Sequence, residues 1–400
     1  MGVGVALGIL APGVAKQLSP VSEIFLRLIK CIVAPLLFGT LVPGIARGGE
    51  ARHMGRIGGK ALLYFEIVTT AALFLGLAAV NLVRPGDGVP ILPSAAELAQ
   101  AQAPPTVSSF LEHMFPTSIF DAMARNDVLQ VVIFAFLFGA ACAAIGAKAE
   151  PVVSFLVSLA EVMFKFTHYI MYVVPFGVVA AIAVTVGANG PGVLLGLSKL
   201  MITMYVTSVI LVLLILLPAI PIFRIPAARF YKAVREPFLI AFSTSSSEAA
   251  LPLALENMEE FGVPKHIVGF VLPLGYSFNM VGSTLYLSLA AMFVAQAAHR
   301  PMGLGAQLFM LLALMLTSKG IAGVPRGVFV VLVSTLSSFN LPADGAAVLL
   351  GVDALLNMPR AAINVLGNCL ASVVVARWEG YKAEGPERED STAEAATVSK

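Results

Sequence analysis

The amino-acid sequence predicts an all-α membrane protein with eight transmembrane helices and two re-entrant helical hairpins. Of its 400 residues, 58% are hydrophobic and 12% are charged, and the mean hydropathy is +0.91. Soluble domains carry about 25% charged residues, so a chain this apolar needs the lipid bilayer as its solvent. Long apolar runs predict the spanning helices, and two shorter runs that polar residues interrupt predict the hairpins.

Apolar segments that can cross a hydrocarbon core of about 30 Å follow one another along the chain. They are residues 1–16, 21–44, 57–83, 128–147, 151–186, 192–220, 264–297 and 345–377. The first segment is apolar only as far as Ala11, so we expect a first helix that is clipped at its start and no cleavable signal peptide. Residues 84–127 are polar and proline-rich and predict an external loop. Residues 379–400 are polar and charged and predict a disordered cytoplasmic tail.

Basic residues give the orientation, because cytoplasmic loops carry an excess of lysine and arginine. They cluster after the second, sixth and eighth segments: Arg47, Arg52, Arg56 and Lys60; Arg224, Arg229, Lys232 and Arg235; Arg377 and Lys382. We therefore expect both termini on the cytoplasmic side. The net charge of +2 gives no reason to expect a nucleic-acid partner.

Two stretches differ from ordinary spans. In the first, apolar residues run up to Phe242, Ser243–Glu248 interrupt them, and Leu251 begins a second short piece. In the second, Leu304–Leu316 is apolar and the interruption begins at Thr317. Arms of roughly 10–14 residues are typical of re-entrant segments, whose irregular backbone must be buried or line a wet cavity. Each hairpin precedes a long span with a polar centre, and such an inverted repeat is typical of secondary transporters.

Polar residues on the last span form one face of a helix. Asp353, Asn357, Arg360, Asn364 and Asn368 are spaced by 4, 3, 4 and 4 residues. A charge at the centre of a membrane helix costs at least about 2.5–3.5 kcal/mol, so Arg360 needs a partner or a ligand. Its planar fork of donors suits a carboxylate ligand. The alternative is an internal Asp353–Arg360 ion pair that only joins helices.

Other polar positions are also candidates. The serines at 245–247 can present hydroxyls and backbone amides to an anion, or can form a polar turn held by water. Asn279–Ser283 interrupts the seventh span and predicts an unwound turn whose carbonyls face the cavity. Glu66 and Glu248 can each hold a proton, or can serve as capping or ion-paired carboxylates.

Catalytic and metal-binding patterns are missing from the sequence. The cysteines (Cys31, Cys142 and Cys369) lie far apart in apolar segments, and the histidines form no ligand pair at helical spacing. There is also no nucleophile–base pair and no nucleotide-binding loop. We therefore expect neither an enzyme nor a cofactor.

Four motifs resemble the dicarboxylate/amino acid:cation symporters, the family of the glutamate transporter homologues. They are Ser245–Pro252, Gly275–Met280, Thr317–Pro325 and Gly351–Asn368. The resemblance covers nearly the whole chain and is closest to the bacterial proton/glutamate and C4-dicarboxylate branch.

The resemblance implies a homotrimer in the bacterial inner membrane that works as an elevator. Residues 1–220 would be mainly scaffold and trimerisation helices, with the third span contributing to the transport domain. Residues 226–378 would be the core of that domain, with the second hairpin as its external gate. The partner would be a small dianion or an acidic amino acid, and the coupling ion H⁺, with Na⁺ as the alternative.

Site residues are carried over from the family by position. The substrate site would comprise Ser245, Ser246, Ser247, Met280, Ser283, Gly323, Val324, Asp353, Asn357, Arg360 and Asn364. Proton or cation coupling would involve Glu66, Glu248, Lys319, Asn279, Asp353 and Asn368. Vestigial sodium positions would be Thr69, Asn279, Asn364 and Asn368. Arg360 would hold the distal carboxylate, and Met280 would sit between the substrate and ion sites.

Departures from the family pattern bear on the coupling ion. Sodium-coupled members have Asp at the positions of Val281 and Asn368 and Thr at the position of Val68. Lys319 falls where a sodium would otherwise lie and can replace it as a tethered charge. Val281 also departs from the proton-coupled branch, which leaves a transport-impaired sensor or an anion channel as a further alternative. Asn357 stands where amino acid carriers have Asp, which favours a substrate without an amine.

Overall fold

The computed structural model describes residues 2–47, 52–89, 115–125, 128–189, 192–320, 327–339, 341–342 and 344–381. Within these ranges every regular element is a helix, so the predicted all-α class is confirmed. The helices are α1 (Gly2–Leu10), α2 (Pro12–Gln17), α3 (Ser19–Arg47), α4 (Arg52–Val83), α5 (Ile119–Arg125), α6 (Val128–Ile145), α7 (Glu150–Met171), α8 (Val174–Asn189), α9 (Gly192–Leu211), α10 (Ala219–Ile222), α11 (Ala227–Thr244), α12 (Ser247–Phe261), α13 (Lys265–Phe278), α14 (Val281–Ala297), α15 (Leu304–Thr317), α16 (Gly327–Ser338), α17 (Asp344–Leu350) and α18 (Asp353–Trp378).

Within the described ranges, five helical stretches are long and apolar enough to cross a membrane. They are Arg56–Val83, Gln130–Met163, Gly192–Ile222, Lys265–Ala297 and Asp353–Trp378. The chain is therefore a multi-pass membrane protein by the length and composition of its helices. The predicted segments 1–16 and 21–44 coincide with α1, α2 and α3.

Breaks divide several segments that the sequence predicts as single spans. The predicted break at Asn279 is confirmed, because α13 ends at Phe278 and α14 begins at Val281. The segments predicted over 1–16, 151–186 and 345–377 are each divided in the structure, since α1 and α2, α7 and α8, and α17 and α18 are separate helices. Pro175, which lacks an amide hydrogen, is the second residue of α8, and Gly351 is the first residue between α17 and α18.

The first interrupted stretch folds into two helices that pack against each other, α11 and α12. They have 18 and 15 residues, so the arms are longer than the predicted 10–14. The second stretch gives α15, a 3₁₀ turn over Ser318–Gly320, and α16. Residues 321–326, including the predicted site residues Gly323 and Val324, lie outside the described residues.

α18 is the centre of the C-terminal half and is largely buried. It contacts α11, α12, α13 and α14, and α4 packs along α14. The N-terminal half is built differently, with α3 packed against α6 and α7 and with α1 packed against α8. Polar residues on α18 thus lie close to α11 and α12 of the first interrupted stretch and to α13 and α14 on either side of Asn279.

The end of α18 is fastened to the beginning of α4. The Glu379 side chain is 2% exposed and pairs with Lys60 at 2.7 Å and with Arg56. The Lys60 ammonium is the main cause that lowers the pKa of the Glu379 carboxyl below its usual range. The contact therefore stabilises the fold fully at pH values above the ordinary carboxyl pKa, and this stabilisation is lost as the pH falls through the lowered pKa of Glu379. Glu379 belongs to the folded part, so the predicted tail began too early, and residues 382–400 lie outside the described residues.

Candidate functional site

Arg360 and Asp353 form a buried ion pair on one face of α18. Arg360 Nη2 donates to Asp353 Oδ1 at 2.8 Å, and the side chains are 3% and 4% exposed. The guanidinium carbon lies 4.1 Å from the centre of the Tyr286 ring on α14, a cation–π contact. The internal pair that the sequence left open as an alternative is therefore formed.

That pair uses only part of the guanidinium. Nε and Nη1 of Arg360 are buried, and no acceptor for them exists among the described residues. An unsatisfied buried donor costs about 1–3 kcal/mol, and more when it is charged. The two nitrogens are therefore well suited to a carboxylate that arrives from outside.

The serine tip is tied to α18 through its backbone. Ser245 has a left-handed conformation with φ +54°, and its carbonyl accepts a hydrogen bond from Asn357 Nδ2 at 2.6 Å. The Ser245 hydroxyl donates to the Ala354 carbonyl at 3.5 Å. These contacts bring the start of α12 close to the polar face of α18. A helix start favours an anion, because its first amides have no partner within the helix.

Ser246 and Glu248 cap α12. The Ser246 hydroxyl accepts from the Ala249 amide at 3.3 Å and donates to Glu248 Oε2 at 2.8 Å. Ser247 is buried. Glu248 is exposed and takes part in this cap, which is one of the two roles that the sequence left open for it. Its predicted role in proton coupling stays a prediction.

Asn364 holds the start of α14 next to Arg360. Its Oδ1 accepts from the Gly282 amide at 2.8 Å, and its Nδ2 donates to Ser283 Oγ at 3.2 Å. Met280, just before α14, is buried. The two predicted ligands Asn364 and Ser283 are thus brought together and hydrogen-bonded to each other.

Replacing Gly282 with Ala should damage the site through α14. A Cβ there would lie 2.5 Å from the carbonyl oxygen of Arg360 and 2.8 Å from its Cα, so two backbones would have to separate. We expect a lower melting temperature and weaker substrate binding. The matched control is Gly269→Ala, where a Cβ meets nothing within 4 Å and helix propensity improves by about 1 kcal/mol. Equal behaviour of the two variants would contradict the close contact.

Asn279 and Asn368 occupy a predicted sodium region. Asn279 Nδ2 donates to Asn368 Oδ1 at 2.9 Å, and both side chains are fully buried. Gly275 permits the approach, because a Cβ there would lie 2.4 Å from Asn368 Oδ1. Val281, also fully buried, packs beside Gly367. Sodium prefers several oxygen ligands. Among these side chains only Asn279 Oδ1 is an oxygen without a hydrogen-bond donor.

Lys319 joins three elements. Its Nζ lies 2.9 Å from Glu66 Oε2 and 2.9 Å from Thr69 Oγ1, both on α4, and 3.5 Å from the Phe278 carbonyl at the end of α13. The Lys319 side chain is 17% exposed and that of Glu66 is 43% exposed. Val68, one residue before Thr69, is buried. An ammonium thus fills a position surrounded by oxygens.

Glu66 and Lys319 also line a cavity of about 830 Å³ between α3, α4, α6, α13 and α15. Its other walls are mostly apolar, among them Phe65, Phe136 and Phe270. The pair is separate from the Arg360 group, but Phe278 connects them, because Asn279 and Met280 follow it directly. Glu66, Lys319 and the Phe278 carbonyl thus form a chain of contacts that ends at the turn between α13 and α14.

Two residues near the site were not predicted. Tyr286 stacks on Arg360, and it follows Gly282 by one helical turn, a spacing that could have signalled a shared face. Thr70 lies close to Glu66, 3.4 Å from its Oε1. Threonine is common in membrane helices, so its type alone gives no signal for this contact.

The chain is similar to known proteins over nearly its whole length. The model of the sodium:dicarboxylate symporter family matches residues 1–378. The proton/sodium-glutamate symport protein of Geobacillus stearothermophilus is 42% identical over 398 residues, covering 96% of this chain and 94% of that protein. The C4-dicarboxylate transport protein of Solibacter usitatus (strain Ellin6076) is 44% identical over 385 residues, which cover 94% of this chain and 90% of that protein. The proton/glutamate-aspartate symporter of Bacillus subtilis (strain 168) is 42% identical over 385 residues, which cover 95% of this chain and 93% of that protein.

These matches confirm the resemblance that the four motifs indicate. They extend over nearly the full length of each relative, so they do not rest on the motifs alone. The chain belongs to the sodium:dicarboxylate symporter family.

Proposed function

We propose that this protein is a secondary active symporter that takes up C4-dicarboxylates or acidic amino acids together with protons. The observation that carries the proposal is the half-used Arg360 guanidinium, buried beside the start of α12. Relatives named for glutamate and for C4-dicarboxylates support this substrate class. In the proposal, Asp353 orients the guanidinium and one carboxylate of the substrate takes its remaining donors.

A dianion needs accompanying cations to enter a negative cell interior. Moving one charge across 100 mV is worth about 2.3 kcal/mol, so a dianion faces about 4.6 kcal/mol before any concentration gradient. Each tenfold accumulation adds about 1.4 kcal/mol. At least two protons are therefore required merely to cancel the electrical cost, and Glu66 and Glu248 are the proposed carriers, with Asp353 as a third.

Glu66 is the stronger of these candidates. Its carboxylate pairs with Lys319 at the wall of a mostly apolar cavity, and Lys319 also contacts the Phe278 carbonyl at the turn between α13 and α14. The rival hypothesis is sodium coupling through backbone carbonyls and Asp353. It has less support, because Val281 offers no oxygen and Lys319 already occupies the oxygens near Thr69.

The proposal includes the architecture implied by the family: eight spans, two re-entrant hairpins and an elevator-type trimer. The packing of α11–α14 around α18 and of α4 along α14 supports a transport domain formed by residues 226–378 and the third span. Residues 1–220 would supply most of the scaffold. We further propose the bacterial inner membrane as its location, with both termini cytoplasmic, because Arg56 and Lys60 lie at the Glu379 end of α4.

Proteoliposomes test the coupling ion. We expect an imposed pH gradient, acid outside, to drive accumulation of radiolabelled succinate or aspartate with no sodium present. A sodium gradient at equal pH should drive none. Uptake that requires sodium and ignores pH would overturn the proton hypothesis and favour its rival.

Asn357→Asp tests the role of the substrate amine. Asn357 Nδ2 donates to the Ser245 carbonyl at 2.6 Å, so a carboxylate there would place two acceptors face to face unless an ammonium lay between them. We expect the variant to lose succinate affinity and to favour aspartate by about tenfold relative to succinate. Isothermal titration of both ligands measures this, with Asn357→Ala as the control that lacks the charge. An unchanged ratio would remove the argument about the amine.

Val281 favours a second candidate, a transport-impaired sensor or an anion channel on the same fold. The residue fills with methyl groups a position where the family carries a carboxylate, and it is fully buried. Saturable exchange of labelled for unlabelled substrate would exclude a channel. Tight binding without any exchange would favour the sensor.

A further inference from the structure

A second cavity, with mostly polar walls, lies at the end of α4 that is remote from Lys60. It has a volume of about 430 Å³ and sits where α4 and α14 end and α15 begins. Its lining residues are mostly polar or charged, among them Arg84, Asp87, Gln296, His299, Arg300 and Gln307. None of them belongs to the proposed substrate or proton sites.

The cavity carries an excess of positive charge among the described residues. Arg84 pairs with Asp87 at 2.8 Å, whereas Arg300 is half-buried and has no carboxylate partner within the described ranges. His299 adjoins Arg300 and is exposed. Arg84 and His299 both have left-handed backbones, with φ +49° and +52°. The backbone is therefore in an uncommon conformation at two residues that follow helix ends and line the cavity.

Amide side chains on the wall are already satisfied by the protein. Asn81 Nδ2 donates to Gln307 Oε1 at 2.8 Å, and Gln296 accepts from the Gly86 amide at 3.1 Å and donates to the Val80 carbonyl at 3.0 Å. These bonds fix the wall, and Arg300, which pairs with no carboxylate among the described residues, is the main group left to bind a ligand. The start of α15 adds partial positive charge, since its cap residue Gly303 supplies no side-chain acceptor.

We propose that this cavity is a second binding site, for small dianions, separate from Arg360. Arg300 is its main ligand, with Arg84 and His299 at the rim. The site lies at the foot of α15, the first arm of the second interrupted stretch. A dicarboxylate held there is concentrated next to the proposed external gate, which raises the rate of its capture at low concentration and makes that rate sensitive to salt.

The duller explanation is that Arg84 and Arg300 only complement the negative ends of α4 and α14. In that case their removal lowers stability and leaves ligand binding unchanged. The test must therefore measure binding and melting temperature on the same samples.

Isothermal titration of purified protein with succinate, and with sulfate as a second probe, separates these explanations. The double variant Arg360→Ala/Asp353→Asn removes the central ion pair without leaving a buried charge. In this background we expect weak, salt-sensitive binding of both probes to persist. Adding Arg300→Gln should weaken it by about tenfold, because one charged hydrogen-bond donor is lost. Adding Arg125→Gln removes an exposed charge that pairs with Asp121, and should change nothing.

No residual binding in the double variant, or equal effects of Arg300→Gln and Arg125→Gln, would overturn this site. If Arg300→Gln lowers the melting temperature but leaves binding unchanged, the site is also overturned, and Arg300 then only complements the negative end of its helix. Failure of the central site gives a different signature, because tight succinate binding would then survive the double variant. The two proposals can therefore fail separately.

Discussion

Arg360→Ala is expected to abolish tight binding of dicarboxylates, with an affinity loss of about thirtyfold or more. Removing one partner of a buried, hydrogen-bonded charge pair costs about 2–5 kcal/mol, and tenfold in affinity corresponds to about 1.4 kcal/mol. The two guanidinium nitrogens without an acceptor are the groups that a substrate carboxylate would lose. Isothermal titration with succinate and aspartate measures the loss.

The single variant alone is ambiguous, because it leaves Asp353 buried and unpaired, which costs about 3–5 kcal/mol of stability. Arg360→Ala/Asp353→Asn avoids this penalty and should recover the melting temperature without recovering affinity. Arg360→Lys keeps the charge, but it loses the planar fork and should bind only weakly. If tight binding survives in the double variant, the carboxylate is held elsewhere.

Glu66→Gln is expected to abolish accumulation driven by a pH gradient while exchange of substrate continues. Glutamine keeps the shape and can still face Lys319, but it cannot bind and release a proton. Lys319 would retain Thr69 and the Phe278 carbonyl as partners, so the fold should persist. Proteoliposome uptake with and without a gradient, beside counterflow exchange, separates the two activities.

The matched control is Glu161→Gln, an exposed carboxylate on α7. It should leave both activities unchanged. Normal pH-driven accumulation in Glu66→Gln would show that the proton travels elsewhere, and Glu248→Gln would then be the next variant to compare.

Composition and hydropathy predicted the helices well, because a membrane helix depends on a long apolar run that is visible in the sequence. The turn at Asn279 was predictable for the same reason, since asparagine, glycine and serine interrupt such a run. The breaks before Val174 and before Asp353 lie within apolar residues, so hydropathy does not reveal them. They depend on backbone hydrogen bonding near Pro175 and Gly351, which only the folded chain displays.

The grouping of polar residues around Arg360 was predictable from the sequence, but their hydrogen bonds were not, and their role in substrate binding stays a prediction. Helical spacing placed Asp353 and Arg360 on one face and left open whether Arg360 binds its neighbour or a ligand. In the structure Arg360 pairs with Asp353 through Nη2 alone, and its Nε and Nη1 have no acceptor among the described residues. Helical spacing does not predict how many of the guanidinium nitrogens are used. Tyr286 was missed, because its contact with Arg360 depends on how α14 crosses α18.

Lys319 has a consequence for the energetics of a complete transport cycle. A dissolved sodium ion enters with its gradient and stays behind, so it performs work on each turnover. In the proposed elevator cycle the ammonium of Lys319, which is covalently attached, crosses any electric field once in each direction, so its two contributions cancel. A cation that cannot leave shapes the local field but supplies no net driving force, and the entire uphill step falls to the ions that do dissociate.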